Sequence, residues 1–202
     1  MTRWRTIWAF AIWAAIGVMG AADAYAFSIE LKRAAPGRIE QQRAYTLQPA
    51  EKTNVPPQEN AIANRLKKLG VESGAPAFIR IFKSESSLEL WLFKNDRYVL
   101  YERFPICFWS GKLGPKAHEG DGQAPEGFYT ITRRQLHWSA RWARSLNIGY
   151  PNRLDRRHGR TGSHILIHGG CSSVGCYSMT NRAMSEIHHI VRLALRRAQS
   201  HV

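Results

Sequence analysis

Acidic residues are scarce in this chain of 202 residues: 15 Asp and Glu stand against 29 Lys and Arg, giving a formal charge of +14. The basic residues are scattered and form no long run, so they mark no nucleic-acid-binding tract. An anionic surface, an acidic substrate or simply a basic soluble protein remain as readings. No segment repeats itself at a fixed period, which excludes solenoids and propellers. Cysteine is rare as well, with only Cys107, Cys171 and Cys176. An odd count rules out complete intramolecular pairing and leaves an intermolecular bridge or a free thiol; one disulfide plus one functional thiol fits the number. Which pair would bridge is open at this point.

Long apolar runs are missing except at the start. Arg3 and Arg5 precede an almost unbroken apolar stretch from Ile7 to Ala22, and Ala24-Tyr25-Ala26 follows with small residues where a signal peptidase reads. This is the anatomy of a secretory signal peptide over residues 1–26. At 16 residues the run stops at Asp23, short of the ~20 that a spanning helix needs, so cleavage near Ala26 is expected rather than a permanent anchor. The membrane is then met only through this segment before cleavage, and the mature protein is periplasmic or secreted. Nucleic acid, rarely met outside the cytoplasm, is not an expected partner.

The 176 residues that remain suffice for one domain with a short extension. Residues 27–58 are polar, with Pro36, Pro49, Pro56 and Pro57, and read as a lead-in or linker; the domain proper is 59–202. Ile62, Leu66 and Leu69 share a face over Glu59 to Gly70, predicting a short helix that Gly70 ends. Strands are expected over Ala77–Phe82, Leu88–Phe93, Tyr98–Ile106, Phe128–Thr132 and His164–His168, with a turn at Asn95-Asp96 and a Gly-rich loop over 109–127. Met184, Ile187, Val191 and Leu195 form an apolar stripe that predicts a helix over Asn181–Gln199, with Arg192, Arg196 and Arg197 toward its C-terminal end. The pattern is mainly β (α+β): a sandwich or barrel-like sheet with a C-terminal helix packed on it.

The stretch carrying chemistry runs from Ser163 to Thr180, SHILIHGGCSSVGCYSMT. His168 ends a strand, and a loop of seven residues ending in Gly175 separates it from Cys176. A thiol near its ordinary pKa of about 8.5 is a poor nucleophile at neutral pH; a neighbouring imidazole that takes its proton, and a helix starting just after it, would change that. The N–H groups of Cys176 and Tyr177, with Gly175 allowing close approach, are the expected oxyanion donors. A base needs an orienter. With no carboxylate nearby, the Gly169 carbonyl or a hydroxyl of Ser172 or Ser173 is left to do it. The competing readings are a buried or bridged Cys176 beside a satisfied core histidine, and a zinc site of His168, Cys171 and Cys176 with His188 or His189. The spacings match no standard finger, and no metal or cofactor is called for.

The stretch resembles the active-site motif of the L,D-transpeptidase catalytic domain, or YkuD domain, in which a histidine precedes a Ser-x-Gly-Cys element. Here these are His168-Gly169 and Ser173-Val174-Gly175-Cys176. The Gly-Cys-Tyr-x-Met-Thr ending and the short loop are similar to the YafK-like branch. So are Pro105-Ile106-Cys107, Ser110 to Lys116, Gly120 to Gly127 and Asn147 to Asn152, in the same order across residues 59–195. The resemblance implies Cys176 as nucleophile, His168 as base, a YkuD-like fold, and peptidoglycan stem peptides as substrate. The implied reaction is acyl transfer at meso-diaminopimelate through a thioester, in cross-linking or in attaching a murein-linked lipoprotein. Hydrolysis that trims cross-links or detaches lipoprotein is the alternative, and a non-catalytic peptidoglycan-binding module is the rival from another class. Arg160 is a further candidate for substrate binding. Val174 stands where typical members carry a second histidine, and Ser178 where they carry Arg or Asn; both departures bear on the acceptor. With Cys176 reduced, Cys107 and Cys171 are left for a disulfide, which export favours; three separate thiols are the alternative.

Overall fold

Glu59 opens the first helix, and the apolar residues three and four apart decide which side of it turns inward. The structure, a computed structural model, describes residues 55–137 and 144–202. The expected leader over 1–26, and the lead-in as far as residue 54, lie outside the described residues. Helix α1 (Glu59–Leu69) buries Ile62 and Leu66. It ends at Gly70, whose φ of 62° is left-handed, and the Val71 N–H then turns back to the Leu66 carbonyl.

Three antiparallel strands follow in sequence order: β1 (Ala77–Phe82), β2 (Ser87–Lys94) and β3 (Arg97–Pro105). Asn95 and Asp96 join β2 to β3 with φ of 48° and 60°, the positive values that tight hairpin turns require and that Asn and Asp tolerate. Leu88, Leu90 and Leu92 of β2 are buried on the core side. Glu89 between them is buried too, held by Arg103 at 2.6 Å and by the Trp91 indole at 3.0 Å.

A second sheet is built from very short strands: β4 (Phe108–Trp109), β5 (Leu136–His137), β6 (Ser145–Asn147), β7 (Leu166–His168) and β8 (Tyr177–Ser178). Their order is β4-β8-β7-β6-β5, and β7 and β8 run parallel. A one-turn helix, α2 (Arg153–Arg157), lies between β6 and β7. Thr180 caps the last helix, α3 (Asn181–Arg197), by accepting from the Ala183 N–H. Met184, Ile187, Val191 and Leu195 are each at most 1% exposed, and α3 packs on β1, β6 and β7, touching both sheets. The fold is therefore mainly β, with the C-terminal helix packed across it.

Three expectations change. Phe128–Thr132 is not a strand: Phe128 is 93% exposed, and the segment's ladder-type pairing is confined to residues 201 and 202, through Ile131 to Val202 and a single bridge from Thr132 to His201. That partner is too short to extend a ladder. The strand expected from His164 begins only at Leu166, because His164 has φ of 53°. Helix α3 stops at Arg197, two residues before Gln199, whose side chain instead bonds both backbone groups of Ala77.

Helix α3 also carries a histidine that must stay neutral. Burial above all, and then the nearby Arg144, Arg192 and His189, push the His188 pKa down to about 4 from its ordinary 6.5. A group whose folded pKa is depressed contributes its stability above the unfolded value and loses it as pH falls. Unfolding free energy is thus expected to drop by roughly 3 kcal/mol between pH 6.5 and 4 through His188. Urea titrations across that window check it: the decline should flatten in His188→Leu, and an equal slope in both proteins would refute the assignment.

Candidate active site

Parallel pairing of β7 with β8 matches Ile167 to Tyr177 and His168 to Ser178. Leu166 therefore stands beside Cys176, and its N–H points at Sγ at 3.3 Å. Alternation along the pair sends Ile167 and Tyr177 to one face and His168 and Cys176 to the other. The first face lines an apolar groove of about 480 Å³, to which neither His168 nor Cys176 contributes.

The turn from Gly169 to Gly175 brings the two strands together and is fixed at three points. Cys171 is bonded to Cys107, with sulfurs 2.20 Å apart and Cα atoms 5.2 Å apart. Gly169 passes so close to Asn181 that a Cβ there would stand 2.2 Å from the amide oxygen. Gly175, with φ of 92°, donates its N–H to the Ser110 hydroxyl at 2.5 Å. With Cys171 in the bridge, Cys176 is the free thiol among the described residues, and Cys171 has no thiolate to offer zinc. No group of three or more His, Cys, Asp or Glu among the described residues is placed to hold a metal ion.

His168 is buried, and its Nδ1 lies 2.6 Å from the Gly169 carbonyl. A carbonyl only accepts, so Nδ1 carries the proton and the neutral ring presents Nε2 as the acceptor. Gly169 is thus the orienter. Ser172 is exposed on the turn, while Ser173 serves Cys176, accepting its N–H at 2.8 Å. The Cys176 N–H is thereby engaged, and Tyr177 is a ladder residue between β4 and β7. The expected oxyanion donor at Cys176 is not open as the site stands.

Burial pushes the Cys176 thiol pKa up, while the Leu166 N–H, the Ser173 hydroxyl and the Lys116 ammonium pull it part of the way back. The expected helix N-terminus plays no part: β8 follows Cys176, and α3 starts only at Asn181. With its pKa pushed above the ordinary range, the thiol is protonated at neutral pH, and a nucleophilic role for it would call for a base in place. If His168 takes the thiol proton, His168→Ala is expected to slow iodoacetamide alkylation of Cys176 at pH 7 by roughly 10²-fold, the lower end of what a positioned proton acceptor contributes. Superimposable rate profiles from pH 5 to 9 in the two proteins would break the pairing.

Other candidates lie elsewhere in the fold. Arg160 bonds Asp155 at 2.7 Å, and that buried carboxylate also caps the N-terminus of α2 and takes the Tyr129 hydroxyl. Its guanidinium supports the loop rather than standing free for substrate. Ser178 is fully buried and donates to the Phe108 carbonyl at 3.0 Å, so a longer side chain has no room there. Val174 is 85% exposed at the rim of the turn. Sequence reasoning missed Ser110, Lys116 and Asp121 as parts of the site, although they sit in the segments Ser110 to Lys116 and Gly120 to Gly127 that carry the family resemblance.

Residues 76–196 match the YkuD L,D-transpeptidase catalytic domain. A protein of Escherichia coli K12 provisionally named L,D-transpeptidase YafK is 46% identical over 122 residues, covering 60% of this chain and 50% of that protein. Its counterpart in strain O157:H7 gives the same figures. The chain thus spans about half the length of the curated relatives it matches. Among solved structures, the helical cell shape determining protein Pgp2 of Campylobacter jejuni aligns with a TM-score of 0.47 at 21% identity, over 64% of this chain and 51% of that one. Bd1075 of Bdellovibrio bacteriovorus aligns at 0.41 and 20%, over 57% and 43%. On the family match, with His168 and the Ser-x-Gly-Cys element in place, the chain belongs to the L,D-transpeptidase catalytic domain (YkuD) family.

Proposed function

We propose that this protein is an exported cysteine enzyme that remodels peptidoglycan by acyl transfer at stem peptides, with Cys176 as nucleophile and His168 as its base. One observation carries the reading. The cysteine left outside the disulfide lies on the same side of the β7–β8 pair as a histidine whose Nδ1 is committed to a backbone carbonyl. In this tautomer Nε2 is the basic ring atom, and it takes the thiol proton. Family membership supports peptidoglycan as the substrate, and the basic charge suits an anionic polymer. The leader pattern and the Cys107–Cys171 pairing both suit an oxidising compartment.

The chemistry runs in two steps. Nε2 removes the Sγ proton as sulfur bonds to the amide carbonyl carbon at a meso-diaminopimelate centre. The C–N bond then breaks, the imidazolium gives its proton to the departing amine, and a thioester remains on Cys176. An incoming amine or water passes a proton to His168 and displaces the sulfur, restoring the thiol. An amine acceptor cross-links two stem peptides or attaches a lipoprotein; water trims cross-links or detaches a lipoprotein.

Purified sacculi, with and without attached lipoprotein, provide the test. Mass analysis of the released fragments should show a changed set of cross-linked or lipoprotein-bearing muropeptides with the wild-type protein and not with Cys176→Ala. The fragment masses identify the bond and the acceptor. An unchanged fragment pattern on both kinds of sacculi would overturn the reading.

A further inference from the structure

Lys116 is a lysine in an unusual place. Its side chain is 5% exposed, and its ammonium lies 2.5 Å from Asp121, whose side chain is 11% exposed. Lysine is seldom buried unless its charge is paired, and the surrounding groups show what this pair holds. Asp121 also accepts the N–H groups of Ala117, His118 and Gln123, which closes residues 117–123 into a compact loop around the carboxylate. Lys116 Nζ bonds the His118 carbonyl at 2.9 Å inside the same loop and faces the Tyr150 ring.

Two separate paths connect this loop to the thiol. On one side, the Gly122 carbonyl accepts the Ser110 hydroxyl at 2.7 Å, and that hydroxyl accepts the N–H of Gly175, the residue before Cys176. On the other, the Ala117 carbonyl and the Glu119 N–H bond Thr161. Gly162 packs so closely on Lys116 that a Cβ would stand 2.9 Å from the lysine Cε. Two residues on, the His164 carbonyl lies 3.8 Å from Cys176 Sγ. The loop therefore grips the nucleophile from the Gly175 side and from the His164 side at once.

We propose that the buried Lys116–Asp121 pair is a positioning device for Cys176, with Lys116 supplying the positive charge that favours the thiolate and Asp121 setting how much of that charge the thiol feels. The proposal rests on Cys176 being the nucleophile. The titratable residues around the thiol are Lys116, paired with Asp121, His168 on the same side of the β7–β8 pair, and His164, which meets Sγ through its backbone carbonyl. Burial opposes ionisation of Cys176, and the Lys116 ammonium counters it. A fully compensated lysine would do this weakly and a free one strongly, so the pair tunes the thiol while fixing the Ser110–Gly175 contact.

Opposite shifts on neutralising the two partners separate this role from simple structural support. Alkylation of Cys176 by iodoacetamide, followed against pH by peptide mass analysis, reads the midpoint of thiol ionisation directly. Lys116→Met should raise the midpoint and lower the rate at pH 7 by about threefold to tenfold, as a shift of roughly half to one unit gives. Asp121→Asn should lower the midpoint, because the ammonium loses its counter-charge. Lys116→Arg should keep the wild-type profile. Midpoints that move in the same direction in Lys116→Met and Asp121→Asn, or that do not move, would overturn the proposal. If Lys116→Met fails to fold, Asp121→Asn decides alone, and a midpoint at or above the wild-type value refutes it. Muropeptide turnover measured in parallel keeps the two readings distinct. Inert wild-type protein with oppositely shifted midpoints refutes the enzyme and not the tuning pair; active wild-type protein with unshifted midpoints refutes the pair and not the enzyme.

Discussion

On the proposed function, Cys176→Ala is expected to eliminate turnover of stem peptides and to leave the protein folded. Loss of a covalent nucleophile removes the whole acyl-enzyme route, and such losses run on the order of 10⁴- to 10⁶-fold in kcat. The fold should hardly notice, because the thiol is only partly buried and its polar neighbours are an N–H and a carbonyl of the backbone and the Ser173 hydroxyl. A stability change within about 1 kcal/mol is expected for a substitution that opens no large cavity and strands no charge. Muropeptide analysis beside a urea unfolding curve checks both halves. Retained turnover in a folded variant would end the case for Cys176. Unfolding of the variant would instead make the cysteine structural, contrary to its position on a turn.

The second large effect belongs to the Cys107–Cys171 bridge. Paired replacement Cys107→Ser/Cys171→Ser is expected to lower the unfolding free energy by about 4 kcal/mol, the loop-closure value for a bridge of this span, since it joins residues 64 apart. The location matters as much as the span. Cys107 is buried at the start of the second sheet, where its N–H bonds the Ser178 carbonyl. Cys171 lies with φ of 49° in the turn that separates His168 from Cys176. Opening the bridge frees the turn from the sheet and loosens the register of base and nucleophile, so turnover should fall together with stability. Non-reducing peptide mapping must show a linked 107–171 fragment for this to hold. An unfolding midpoint that is the same with and without reductant would contradict it.

By itself the sequence determined the local elements long enough to display a period. The stripe of Met184, Ile187, Val191 and Leu195 settled α3, runs of β-branched and aromatic residues bounded by turns settled β1 to β3, and the Asn95-Asp96 pair settled the β2–β3 hairpin, because such patterns show over six or more residues. It also placed His168 and Cys176 on either side of seven residues rich in glycine and serine, which is a matter of residue type and spacing. Tertiary structure decided the rest. Strands β4, β5 and β8 have two residues each; a period cannot appear in two residues, so only pairing with neighbours makes them strands. That pairing puts a strand rather than a helix behind Cys176, so its thiol lacks the expected helix dipole and feels burial and the Lys116 charge instead. It ties Arg160 to Asp155, commits the Cys176 N–H to Ser173, and brings Ser110, 65 residues away in the chain, under Gly175. Such contacts depend on how loops close over a sheet, and the energy of closure depends on partners that local sequence does not contain.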